Sequence, residues 1–115
     1  MSKFLFVCTA NRDRSRTTEI YFANKYPEHR FRSAGINAYL CSNNNDGIHI
    51  KKAMLDRADR IICMERCHSE WIARNIDKSY LEKIEVLDLG DTDTYMSDNL
   101  IKALEEKFKI NLPEK

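Results

Sequence analysis

The chain has 115 residues, 43% hydrophobic and 32% charged, and its 19 basic residues against 18 acidic ones leave a formal net charge of +1. That length suits one packed core rather than two, so residues 1–115 are expected to form a single domain. The even balance excludes the basic excess that marks nucleic-acid or membrane attraction, and neither partner is expected.

In chain order, residues 3–8 (Lys-Phe-Leu-Phe-Val-Cys) form a short apolar run that predicts a buried strand. A polar loop over residues 9–14 follows. Residues 15–26 then predict a helix, started by Ser15 and carrying Ile20, Phe22, Ala23 and Tyr26 as its apolar residues. Residues 31–33 predict a second strand that stops at Gly35, and residues 36–47, rich in Asn, Asp and Gly, predict loop. Residues 48–57 predict a helix, 59–64 a third strand, 68–75 a helix burying Trp71 and Ile72, and 83–89 a fourth strand. From Ser97 onward, Leu100, Ile101, Leu104 and Phe108 recur at helical spacing. Strands alternating with helices predict an α/β fold: three αβα layers around a four-stranded parallel sheet. Ligands of such sheets bind at the carboxyl ends of the strands, where Cys8 and the 88–95 segment both fall.

No stretch near the start is long enough for a signal peptide or a membrane span, so a cytoplasmic location is expected. The four cysteines (Cys8, Cys41, Cys63, Cys67) lack C-x-x-C spacing, and reduced thiols are expected. Cys63, Cys67 and His68 are zinc-ligand types, but Cys63 closes an apolar run where a buried structural thiol is the commoner outcome. No metal or other cofactor is expected.

The chemistry concentrates in Cys8-Thr9-Ala10-Asn11-Arg12-Asp13-Arg14-Ser15. A loop wrapped over a helix N-terminus points several backbone N–H groups into one phosphate-sized concavity. A cysteine at its start faces the anion, and the same N–H groups and the helix dipole favour the thiolate. Arg14 returns with a planar fork matched to two phosphate oxygens, and Ser15 can donate to the sulfur. Asn11 suits a tight loop without glycine, because asparagine tolerates left-handed backbone. Read alone, Cys-x5-Arg also fits a buried strand-end thiol and an unrelated surface charge. Its place between a predicted strand and a predicted helix favours the pocket.

With these residues in view, the chain resembles the low-molecular-weight protein tyrosine phosphatase family. Cys8, Asn11, Arg14 and Ser15 match its Cys-x-x-Asn-x-x-Arg-Ser pattern, and Thr18-Glu19-Ile20-Tyr21-Phe22 is similar to its first-helix segment. Arg32-Ser33-Ala34-Gly35 resembles its Ser-Ala-Gly strand end, residues 58–65 its third strand, and residues 86–91 the approach to its acid loop. The resemblance implies a phosphate-binding loop between first strand and first helix and metal-free hydrolysis of a phosphorylated protein or small aryl phosphate. It implies Cys8 as nucleophile through a phosphocysteine intermediate, Arg14 on the equatorial oxygens, and residues 9–15 as the phosphate cradle. Asp91 would be the general acid, with Asp93 as the alternative, and Tyr39 and Tyr95 would wall the substrate slot.

Several positions depart from that pattern. Asp13 replaces a second loop cysteine, Ala10 a glycine, and Arg16 a proline. Arg12 stands where small or aliphatic residues are common, and the 36–48 segment is short. His49 and His68 are expected as surface or helix-face residues rather than catalytic groups. Two other functions stay open: a thiol-dependent arsenate reductase using Cys63 and Cys67, and a non-catalytic phosphate-binding module. The phosphatase that acts on phosphoserine in the RNA polymerase tail also has Cys-x5-Arg-Ser, with a weaker likeness to the remainder of this chain.

Overall fold

The computed structural model describes residues 2–11, 14–42, 47–89 and 97–108. Its strands are β1 (Lys3–Cys8), β2 (Arg30–Gly35), β3 (Arg60–Cys63) and β4 (Ile84–Val86). Its helices are α1 (Arg14–Lys25), α2 (Ala38–Ser42), α3 (Lys52–Arg57), α4 (Arg66–Asn75) and α5 (Asp98–Lys107). The strands pair in the order β2-β1-β3-β4, and every pair is parallel.

Side chains alternate across a strand, so β1 sends Phe4, Phe6 and Cys8 to one face and Leu5 and Val7 to the other. The first face packs against Phe22 of α1 and Leu100 and Leu104 of α5. The second packs against Leu55 of α3 and Ile72 of α4. This double coverage makes the three layers and explains why β1 reads as a continuous apolar run. The rings of Phe4, Phe6, Phe22, Phe31 and Phe108 form one aromatic cluster, with centroids 5.0–6.4 Å apart in stacked, tilted and edge-on pairs. Among the described residues no helix is long and apolar enough to cross a membrane.

Local hydrogen bonding moves several predicted boundaries. Residues 38–42, expected as loop, form a short helix because Asn37 Oδ1 accepts the Leu40 N–H at 3.0 Å. The helix expected over 48–57 shrinks to Lys52–Arg57. Gly35 N–H donates to Ile48 O at 2.8 Å and Ile50 N–H to Gly35 O at 2.9 Å, which extends this stretch along β2. The fourth strand is only Ile84–Val86. Residues 78–83 form a 3-10 helix capped by Asp77, whose Oδ1 accepts the Ser79 N–H at 2.9 Å. Asp88, expected in the strand, has φ 56° and lies beyond it. The chain nevertheless stays against β3: Leu87 N–H reaches Cys63 O at 3.0 Å and Leu89 N–H reaches Met64 O at 2.6 Å.

Candidate active site

β1 is an inner strand, so its carboxyl end is flanked by the ends of β2 and β3. Cys8 closes β1 and α1 begins at Arg14, six positions on in the sequence. The Cys8 sulfur is 3.0 Å from Ser15 Oγ and accepts the Asn11 N–H at 3.2 Å. Asn11 adopts φ 53°, the left-handed geometry that its residue type tolerates.

Asn11 is the hub. Its Nδ2 donates to Ser15 Oγ and to Ser33 Oγ, both at 2.9 Å, and its Oδ1 accepts the Ile48 N–H at 2.8 Å. The buried carboxamide therefore ties the loop to α1, to β2 and to the segment before α3. Ser15 Oγ accepts from Asn11, which leaves its own hydrogen available to a Cys8 thiolate; the sulfur already accepts the Asn11 N–H. Ser33 in turn donates to Glu19. The Arg14 side chain is buried, and its Nη1 donates to a Glu65 carboxylate oxygen and to Leu89 O at 2.8 Å. Two acceptors on one nitrogen fix the plane of the guanidinium.

Cys8, Thr9, Ala10, Asn11, Arg14 and Ser15 are thus brought together, with Thr9 and Ala10 part-exposed above the buried sulfur. Arg12, Asp13, Asp91, Asp93 and Tyr95 lie outside the described residues. Tyr39 is on α2 and 74% exposed. Its helix is anchored to the loop, since Ile36 N–H reaches Cys8 O at 3.0 Å and Asn37 N–H reaches Thr9 O at 2.9 Å.

Two residues around α4's first turn enter the site unforeseen. His68, expected on a surface, is fully buried. Its Nδ1 accepts the Glu65 N–H at 3.0 Å, which places the ring proton on Nε2, 3.1 Å from Thr9 Oγ1. Glu65 is the N-cap of α4, accepts from the His68 backbone and also holds Arg14. One helix end thus grips both ends of the loop. The Glu65-x-x-His68 spacing is that of a reciprocal N-terminal cap, and this was the available sequence signal.

Cys41 is the third unforeseen neighbour. It is buried beneath the loop, and burial pushes its thiol up, reinforced by the charge of nearby Cys8. Cys63 is fully buried within β3, and burial pushes its thiol up to about 12, so it is neutral at physiological pH. Cys67 is exposed.

Gly35 makes room for all of this. A Cβ there would lie 2.6 Å from Cys41 Sγ, 2.6 Å from Thr9 O and 2.7 Å from Asn11 N. Backbone atoms cannot yield cheaply, so Gly35→Ala must displace the loop. It is expected to cost about 1–3 kcal/mol in stability. Thermal melts check this; an Ala variant that melts with wild type would show that the loop tolerates the shift.

No protein-family model matches the sequence. No curated protein matches it significantly. Solved structures do match in shape. The tyrosine phosphatase Wzb from Escherichia coli K30, solved with phosphate, superposes with a TM-score of 0.72 at 23% identity, covering 93% of this chain and 94% of that one. The YwlE arginine phosphatase from Geobacillus stearothermophilus gives 0.65 at 22% identity, covering 93% of this chain and 92% of that one. SP-PTP, the low molecular weight protein tyrosine phosphatase from Streptococcus pyogenes, gives 0.65 at 16% identity, covering 92% of this chain and 85% of that one. With a four-stranded parallel sheet and near-complete coverage of both chains, this chain has the low molecular weight protein tyrosine phosphatase fold.

Proposed function

We propose that this chain is a cysteine-dependent phosphatase, a divergent member of the low-molecular-weight tyrosine phosphatases, and that residues 1–115 act as one domain. The observation that carries the reading is the Cys8 sulfur, held by Ser15 and Asn11 at the start of a loop that ends on Arg14 at the α1 N-terminus. In the reaction, the Cys8 thiolate attacks phosphorus while the bond to the leaving oxygen breaks, and Asp91 supplies that oxygen with a proton. Water then attacks the phosphocysteine while Asp91, now a carboxylate, takes a proton from it, and the S–P bond opens to release phosphate and restore the Cys8 thiolate. Arg14 and the cradle of residues 9–15 stabilise the equatorial oxygens in both steps. Arg14 already bonds Leu89 O, and Asp91 follows Leu89 by two residues, which favours an acid drawn from that segment. Tyr39 and Tyr95 are assigned to the rim of the substrate slot.

The substrate is a phosphorylated protein or a small aryl phosphate, with no cofactor, nucleic acid or membrane partner. A nucleophilic thiolate suits the reducing cytoplasm. An arsenate-reductase relay is disfavoured because it needs a mobile, ionisable second thiol, whereas Cys63 is fully buried and neutral.

The test is hydrolysis of aryl phosphates with good and poor leaving groups by wild type, Asp91→Asn and Asp93→Asn. Wild type is expected to turn over, and Asp91→Asn to lose about 100-fold or more with poor leaving groups and much less with good ones. The same selectivity in Asp93→Asn with full activity in Asp91→Asn would move the acid to Asp93. Wild type that binds phosphate without turnover would make the chain a binding module.

A further inference from the structure

At the opposite ends of the strands from Cys8, the sheet breaks the pattern that its topology calls for. A parallel sheet covered on both faces carries apolar side chains on both. On β2, however, Arg30 and Arg32 are exposed, and their register partners on β1 are Lys3 and Leu5. Leu5 and Val7 belong to the α3/α4 face, so the two arginines lie on that face as well. The six-residue helix α3 ends there in Arg57. Between these elements is a cavity of about 290 Å³, lined by Lys3, Arg30, Arg32 and Arg57 around apolar Leu5 and Met54.

Arg14 pairs with Glu65, Arg60 with Glu85, Lys25 with Glu105 and Lys52 with Asp56, whereas exposed cations such as Lys51, Arg66 and Arg74 stand singly with no carboxylate partner among the described residues. None of the four lining cations has such a partner among the described residues. Asp59, the adjacent carboxylate, accepts the Lys3 backbone N–H at 2.9 Å. Like charges on cross-strand neighbours such as Lys3 and Arg30 are destabilising. Charges that guard a sheet edge against pairing account for Arg30 and Arg32 on edge strand β2. They do not account for Lys3 on an inner strand or Arg57 on a helix.

We propose that this groove binds a small anion with at least two negative charges and an apolar part, the chemistry of a nucleoside diphosphate. Arginine forks match phosphate oxygens, and Leu5 and Met54 offer a surface for a base. The volume falls near the lower end of small-molecule sites. The proposal is independent of the phosphatase reading, because none of its residues contributes to the loop around Cys8.

Isothermal titration of the full chain at low ionic strength with ADP, pyrophosphate and adenosine tests it. ADP is expected to bind about tenfold or more tightly than either fragment, and binding is expected to fall as salt is added. Arg32→Ser and Arg57→Ser, from different elements, should each weaken ADP about tenfold while melting normally and hydrolysing aryl phosphate at the wild-type rate. ADP binding should persist in Arg14→Ala, which removes the phosphate loop's guanidinium. Binding abolished by Arg14→Ala but untouched by both groove variants would overturn the proposal. So would pyrophosphate binding as tightly as ADP, or no ADP binding in wild type.

Discussion

Cys8→Ser is expected to lower kcat for an aryl phosphate roughly 10⁴-fold or more, as loss of a covalent nucleophile does, while leaving the fold and phosphate binding intact. The two halves of that expectation have different origins. Serine keeps a small polar atom where the sulfur now meets Ser15 Oγ at 3.0 Å and the Asn11 N–H at 3.2 Å, so the loop retains its geometry. A hydroxyl, however, is a far weaker acid than a thiol, and neither Ser15 nor the loop amides are bases that could remove its proton. Steady-state kinetics with thermal melts and a phosphate titration separate the effects. In wild type, acid quench during turnover should trap a phosphoryl group on a Cys8-containing peptide. A Cys8→Ser protein with normal turnover would remove the nucleophile and with it the proposed mechanism.

Arg14→Lys is expected to lower kcat for the same substrate about 10³-fold, the scale of losing an aligned transition-state donor, with a smaller change in KM. Charge is conserved in this variant, so the loss measures shape. The guanidinium plane is set by Nη1, which donates to Glu65 and, at 2.8 Å, to Leu89 O. An ammonium at the end of a flexible stem cannot make those two contacts and also present a planar fork to phosphate. Glu65→Gln should be milder, about tenfold in kcat, because Leu89 still holds the arginine. Equal kcat for wild type and the Arg14→Lys variant would mean that a point charge suffices and that the planar fork plays no part.

The loop from Cys8 to Arg14 was legible in the chain because its logic is local. An apolar strand ending in a cysteine, an arginine six positions on and the serine after it lie within one strand–loop–helix unit, though Ser15, expected as the helix cap, lies within α1 and turns its hydroxyl to Cys8 and Asn11 instead. Asn11 at φ 53° is the clearest instance, since its residue type announces the left-handed turn. Boundaries were less legible where distant backbone groups compete. Residues 48–51 are drawn out along β2 by Gly35, and the fourth strand shortens beside a 3-10 helix capped by Asp77.

Taken by itself, the sequence determined the layer order and the strand that bears the candidate nucleophile, because hydrophobic periodicity and loop chemistry act over a few residues. Only the tertiary structure decided what steadies the loop after that strand. Glu65 reaches Arg14 across 51 residues, His68 reaches Thr9 across 59, and Ser33 reaches Asn11 across 22. It alone also showed four cations meeting at the far end of the sheet, where β1, β2 and α3 converge. Periodicity places a residue on a face; which side chains meet there depends on how the parallel strands come into register.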